Sequence, residues 1–106
     1  MVLVSEILRN ALQPMLASCF GTRLKGISVF GSYARGDADN ESDLDVLIVL
    51  DQIDHYASEV DRTSEIIGRL SLDYGISISR VFLSEKEWHH GDSPFVQNLR
   101  EEAISA

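Results

Sequence analysis

The stretch FGSYARGDADNESDLDVLIVL, residues Phe30 to Leu50, combines a glycine–serine turn, a polar loop and two aspartates placed before an apolar run. Ten residues separate the pair Gly31-Ser32 from Asp43, and Asp45 follows two positions later. Aspartate is disfavoured in strands, and carboxylates beside an apolar run cost desolvation energy unless a positive group lies close to them. The two aspartates therefore indicate a site for a cation.

Three strands are predicted in and around this stretch. DLDVLIVL, residues 43–50, is the clearest, because its second half is apolar on both faces, as in a central strand covered by helices. LKGISVF, residues 24–30, is a short β-branched run before the glycine turn, and GISISRVFL, residues 75–83, is the third strand.

Helices are predicted before, between and after these strands. Apolar residues at helical spacing mark an N-terminal helix, which Pro14 should kink or split near Gln13, and a second helix that should end before Gly75. SEKEW, residues 84–88, has a capping-box pattern, and SPFVQNLREEAI, residues 93–104, opens a last helix with serine followed by proline. This order of elements predicts an α+β, two-layer fold, with a small sheet and the helices packed on one face.

Length, charge and cysteine content limit the class of protein. The 106 residues fit a single domain, residues 1–106. The net charge of −8 repels a nucleic-acid backbone, so we expect no direct nucleic-acid binding, whereas a metal-bound nucleoside triphosphate is compatible with it. The sequence has no apolar stretch of roughly 18–20 residues, so we expect no membrane association. It shows no secretion signal, and Cys19 has no second cysteine with which to form a disulfide, so we expect a cytoplasmic location.

The chemistry of the site follows from the residue types and their spacing. Asp43 and Asp45 should face one way, because side chains two positions apart in a strand share a face. A few hard oxygen ligands with room for water and phosphate oxygens are typical of Mg²⁺ sites. Gly31 would let a phosphate approach the backbone amides, and Arg35 would add a guanidinium charge. Such a site would transfer a nucleotidyl group and expel pyrophosphate.

The pattern of Gly31-Ser32, ten residues and then Asp43-Leu44-Asp45, with FGSYARGDADNESDLDVLIV around it, resembles the signature of the minimal nucleotidyltransferases of the DNA polymerase beta superfamily. The resemblance implies the small mixed sheet of that fold. It implies that Gly31 and Ser32 bind triphosphate and that Asp43 and Asp45 are catalytic and bind two Mg²⁺ ions. It also implies ATP as the donor and a partner protein, because members this small are often encoded with an all-helical HEPN toxin to which the transferase adds AMP.

The chain departs from the family pattern on the strand after the two aspartates. The family has a third carboxylate there, which holds metal and takes the proton from the attacking hydroxyl, whereas this chain has Ser77 or Ser79. Serine is a weak base and a poor metal ligand, so one of the two Mg²⁺ ions is expected to bind less firmly. Losing a general base costs a factor of roughly 10² to 10⁴ in rate. Glu85 or Glu87 is the alternative source of a third carboxylate, although both follow the strand.

Three functions remain open from the sequence. The first is an active or weakly active nucleotidyltransferase whose acceptor hydroxyl, such as that of a tyrosine, is presented by a partner. The second is a catalytically impaired binding module that neutralises a partner by forming a complex, which the serines of the third strand favour. The third is a homo-oligomer whose helices bury Trp88 and Phe95 between subunits.

Overall fold

A four-stranded mixed sheet is the frame of the structure, a computed structural model that describes residues 4–105. Its strands are β1 (Leu24–Phe30), β2 (Leu44–Leu50), β3 (Ile78–Ser84) and β4 (Ile104–Ser105). Across the sheet the order is β3-β2-β1-β4, in which β2 runs parallel to β3 and β1 is antiparallel to both β2 and β4. The mixed sheet, the α+β class and the three predicted strands are confirmed. The edge strand β4 is an addition, because two residues are too few to show a periodic pattern.

The helices lie before, between and after the strands, as predicted. They are α1 (Val4–Ile7), which passes through a π-helical turn (Leu8–Leu12) into α2 (Gln13–Phe20), then α3 (Ser32–Arg35), α4 (Tyr56–Tyr74), α5 (Glu85–His90) and α6 (Pro94–Glu102). Pro14 is the second residue of α2, where it cannot donate the backbone hydrogen bond that a continuous helix would have at this position. The segment is not split at Gln13, because the backbone of Leu12 and Gln13 is helical; the change from π-helix to α-helix there is the irregularity at the predicted position. Between residues 4 and 105, none of the helices has both the length and the apolar character needed to cross a bilayer.

Both faces of β2 are buried, and helices cover both of them. Apolar side chains at its even-numbered positions pack with α2 and α4. On the opposite face, Leu47 and Val49 pack with Val96 and Leu99 of α6, and Trp88 of α5 joins this cluster. The structure thus corrects the expectation that helices pack on one face only. Leaving Leu47 and Val49 uncovered would expose apolar surface at a cost of about 25 cal/mol per Å².

Helix α6 is held firmly beside the carboxyl end of β1. The hydroxyl of Ser93 accepts a hydrogen bond from the amide of Val96 at 3.2 Å, so the predicted cap is present. Leu99 is buried on the sheet, and after the helix Ile104 pairs with Val29 of β1. Residues on the exposed side of α6 are therefore positioned next to the turn that follows β1.

Candidate functional site

A sharp bend at Gly31 connects β1 to the short helix α3. Gly31 has φ 74° and ψ −154°, a backbone conformation that is open essentially to glycine alone. A Cβ added at Gly31 would lie 3.1 Å from Cγ of Asp45 and would overlap its Oδ2. The bend and the aspartate, which lie far apart in the stretch 30–50, are therefore in direct proximity.

Asp45 lies near the start of β2 on the face covered by α6, and Asp43 directly precedes the strand. Asp45 is half-buried and pairs with Phe30, the last residue of β1, while Asp43 is exposed immediately before the strand. Burial is the main cause that raises the pKa of the Asp45 carboxyl, and the negative charge of Asp43 raises it further. The structure thus places both acids where their negative charges interact unfavourably, a situation that a bound cation would relieve.

Arg35, the last residue of α3, brings a positive charge to the same region. Its Nε donates a hydrogen bond to Oδ2 of Asp37 at 3.3 Å, and its Nη1 donates to Oε1 of Glu102 at 2.5 Å. Arg35 acts to lower the pKa of Asp45, but burial and Asp43 outweigh it. The predicted residues Gly31, Arg35 and Asp45 are thus brought together.

Glu102, at the end of α6, is a member of the site that sequence reasoning missed. Its Oε2 accepts a hydrogen bond from the amide of Gly31 at 3.2 Å, and its other oxygen accepts from Arg35. Both contacts lower the pKa of the Glu102 carboxyl, and the contact with Arg35 has the larger effect. Glu102 is separated from Gly31 by 71 positions, so no local pattern could have connected the two residues.

An open cavity of about 370 Å³ joins these groups. Its lining includes Gly31, Ser32, Arg35 and Asp45 on one side and Phe95, Asn98 and Glu102 of α6 on the other. Asp43 is not part of this lining. Phe95 is 50% exposed, so its ring is available to a ligand. The volume falls within the range of roughly 300–1,000 Å³ that is usual for small-molecule sites.

The register of β3 identifies which serine stands beside the aspartates. Ser79 pairs with Asp45, and paired residues of neighbouring strands point to the same face. Ser77 precedes β3, where its carbonyl accepts a hydrogen bond from the amide of Leu44 at 2.8 Å. Of the two candidate serines, Ser79 is therefore the one beside Asp45, where the family resemblance implies a third carboxylate.

Neither glutamate after β3 takes the place of that carboxylate. Glu87 accepts hydrogen bonds from the amide and hydroxyl of Ser84 in the capping box of α5. Ser84 lies five residues beyond Ser79, or about 16 Å along the strand at roughly 3.3 Å per residue. Glu85 follows Ser84 and lines a different cavity with Lys25. Among residues 4–105, no three His, Cys, Asp or Glu side chains converge to form a metal site.

Sequence comparison relates most of the chain to one family and to archaeal proteins. A family model described as a nucleotidyltransferase domain matches residues 15–104. A Methanocaldococcus jannaschii protein, named as a candidate protein adenylyltransferase, is 41% identical over 71 residues, covering 67% of this chain and 65% of the relative. A second protein of that organism with the same description is 44% identical over 59 residues, covering 56% of this chain and 59% of the relative. The chain thus spans less than two thirds of the length of either relative.

Solved structures share the fold. A candidate nucleotidyltransferase from Sulfolobus solfataricus superposes with a TM-score of 0.65 at 19% identity, covering 94% of this chain and 76% of that one. A toxin–antitoxin crystal structure with AMP-PNP superposes with a TM-score of 0.60 at 18% identity, covering 88% of this chain and 68% of that one. A structure described as a candidate minimal nucleotidyltransferase superposes with a TM-score of 0.56 at 27% identity, covering 93% of this chain and 92% of that one. The family match over residues 15–104 shows that the chain belongs to the nucleotidyltransferase domain family, as a minimal nucleotidyltransferase domain, and the solved structures show the same fold.

Proposed function

We propose that this domain binds Mg·ATP and transfers AMP to a hydroxyl group on a partner protein, in the manner of an antitoxin that modifies an all-helical HEPN toxin. The observation that carries the proposal is the close approach of the Gly31 bend to Asp45. A backbone amide able to meet a phosphate and a carboxylate able to meet a cation are neighbours there. This is the combination that a metal-bound triphosphate requires.

The acidic pair supplies ligands that suit Mg²⁺. Asp43 and Asp45 offer hard carboxylate oxygens, and Mg²⁺ is commonly held by one or two carboxylates together with phosphate oxygens and water. The raised pKa of Asp45, caused by burial and by Asp43, is consistent with a site completed by a cation. When bound, Mg²⁺ would stabilise the negative charge that develops on the phosphate oxygens. Because Ser79 replaces a carboxylate, we expect the second of the two family ions to bind weakly.

The residues on the other side of the cavity would orient the nucleotide. The amide of Gly31, the hydroxyl of Ser32 and the guanidinium of Arg35 can each donate hydrogen bonds to phosphate oxygens. The exposed ring of Phe95 and the amide of Asn98 can contact the nucleoside by stacking and by hydrogen bonding. These groups would fix the α-phosphorus for in-line attack.

In the transfer step, the acceptor oxygen forms a bond to the α-phosphorus while the bond from that phosphorus to the pyrophosphate oxygen breaks. The acceptor also loses its proton, which passes to solvent water where no side-chain base receives it. The family resemblance implies a carboxylate that takes this proton; we infer that Ser79, which pairs with Asp45, has its place, and a serine hydroxyl is not a useful base near neutral pH. We therefore expect slow transfer, by a factor of roughly 10² to 10⁴ relative to a site with its base.

A protein acceptor is favoured by the relatives and by the open site. The matched Methanocaldococcus jannaschii proteins are named as candidate protein adenylyltransferases, and one fold neighbour is a toxin–antitoxin complex crystallised with AMP-PNP. The cavity is open to solvent, so an acceptor side chain such as tyrosine could enter while remaining attached to its own protein.

A binding module is the second candidate, and Ser79 is the observation that favours it. In that case the domain would neutralise its partner by covering it, with or without bound nucleotide. Self-association through exposed aromatic residues such as Phe95 remains a prediction that the oligomeric mass in solution would test.

The test is AMP transfer from Mg·ATP to the protein encoded beside this chain, followed by mass spectrometry and by an assay of the partner's toxicity. Asp43→Asn and Asp45→Asn should abolish the one-nucleotide mass gain, whereas Asp73→Asn, an equal change of charge at an exposed position on α4, should leave it unchanged. If neutralisation of the partner survives both site substitutions, the binding module is the correct function.

A further inference from the structure

The carboxylate of Glu102 occupies the groups that the proposed function assigns to phosphate. The amide of Gly31 donates to one carboxylate oxygen at 3.2 Å, and Nη1 of Arg35 donates to the other at 2.5 Å. A carboxylate and a phosphate present similar pairs of acceptor oxygens to a guanidinium group. Glu102 therefore stands where a phosphate group of the nucleotide would bind.

A purely structural role accounts poorly for Glu102. The side chains of Arg35 and Glu102 are 52% and 25% exposed, and ion pairs that accessible add little to stability.

We propose that Glu102 is an internal competitor for the phosphate of the nucleotide and sets the affinity of the site, an inference that rests on the proposed function. In the free domain the carboxylate satisfies the amide of Gly31 and the charge of Arg35. Triphosphate binding requires it to leave, because two anions on the same donors repel each other. The free energy of displacing Glu102 is subtracted from that of binding, which lowers the affinity for Mg·ATP.

The displacement needs no change of fold. Val96 and Leu99 hold α6 against the sheet, and Ile104 pairs with β1 immediately after the helix. Glu102 itself is partly exposed on an open cavity, and its side chain has rotatable bonds that allow it to turn toward solvent. A rotamer change of one side chain would therefore clear the phosphate position.

The test compares Glu102→Gln with Glu101→Gln by isothermal titration calorimetry. Both substitutions remove one negative charge from α6, but Glu101 is exposed and has no part in the cavity. The probes are Mg·ATP and Mg·tripolyphosphate, which carries the same phosphate chain without a nucleoside. Glu102→Gln should tighten the binding of both probes about tenfold, since the competitor loses its charge-assisted hydrogen bonds. Glu101→Gln should change either affinity by no more than about twofold, as expected for an exposed charge.

The direction of the change decides between a competitor and a supporting ligand. Unchanged or weaker binding by Glu102→Gln would overturn the inference, because a carboxylate that helps to hold the site loses binding when it is neutralised. Thermal unfolding of each variant confirms that the folded protein is being titrated. If wild type binds Mg·ATP but Glu102→Gln binds no more tightly, this inference alone fails. If both folded proteins bind neither probe, the proposed function fails as well.

Discussion

Replacing Gly31 by alanine should disable the site by displacing Asp45, although glycine itself contributes no side chain. The new Cβ would overlap Oδ2 of Asp45 and lie 3.1 Å from its Cγ, so the carboxylate has to move away from the bend. The backbone is also unsuited to alanine, since φ is 74° and ψ is −154°. Strain of this kind costs about 1–3 kcal/mol of the free energy of unfolding.

The effect on ligand binding is expected to exceed the effect on stability. Misplacing groups that orient a metal ligand typically costs about 10- to 100-fold in metal affinity or activity, and here the ligand itself is displaced. We therefore expect the affinity for Mg·ATP to fall by at least about tenfold while the protein remains folded. Calorimetric titration with Mg·ATP and urea unfolding measure the two quantities on the same sample.

Gly75→Ala is the matched control. Gly75 ends α4 with φ 64° and ψ 35°, and an added Cβ would meet nothing within 4 Å. This substitution should cost about 1–2 kcal/mol through backbone strain alone. It should leave nucleotide binding unchanged. Wild-type affinity in folded Gly31→Ala, or an equal loss of affinity in Gly75→Ala, would refute the reasoning that places Asp45 against the bend.

Two further substitutions test the acidic pair and its missing third member. In metal-free buffer, Asp45→Asn should raise the melting temperature at neutral pH, because burial and Asp43 make the charged carboxyl unfavourable in the fold. The pKa of Asp45 is raised in the folded state, so wild type loses stability as the pH rises above the unfolded-state pKa of about 3.9. The higher melting temperature of Asp45→Asn should therefore disappear below that pH. A difference in melting temperature that does not depend on pH would show that the charge of Asp45 is not its cause. Ser79→Asp should accelerate AMP transfer at least tenfold, given that a general base is worth roughly 10² to 10⁴. The rate of AMP transfer is measured with radiolabelled ATP. Because Ser77 lies before β3, Ser77→Asp should not accelerate the transfer. Equal acceleration by Ser77→Asp and Ser79→Asp would contradict the register of β2 and β3.

Local patterns were sufficient for most of the fold because they depend on neighbouring residues. The apolar run after Asp45 predicted β2, which begins one residue after Asp43. The helix irregularity next to Pro14 and the serine cap at Ser93 were equally predictable, because each is a property of a few consecutive residues. The same holds for Gly31, whose backbone conformation requires glycine.

The partners of these residues depend on packing between distant segments, which no local pattern encodes. Ser79 rather than Ser77 stands beside Asp45 because of the pairing register of β2 and β3. Glu102 reaches Gly31 only because α6 covers the second face of the sheet and β4 pairs with β1. A one-residue shift in the pairing of β2 and β3 would put a different residue beside Asp45, and a shift of α6 would take Glu102 away from the amide of Gly31. Sequence periodicity specifies the elements and their faces, whereas the contacts that tune the site arise when those faces are packed together.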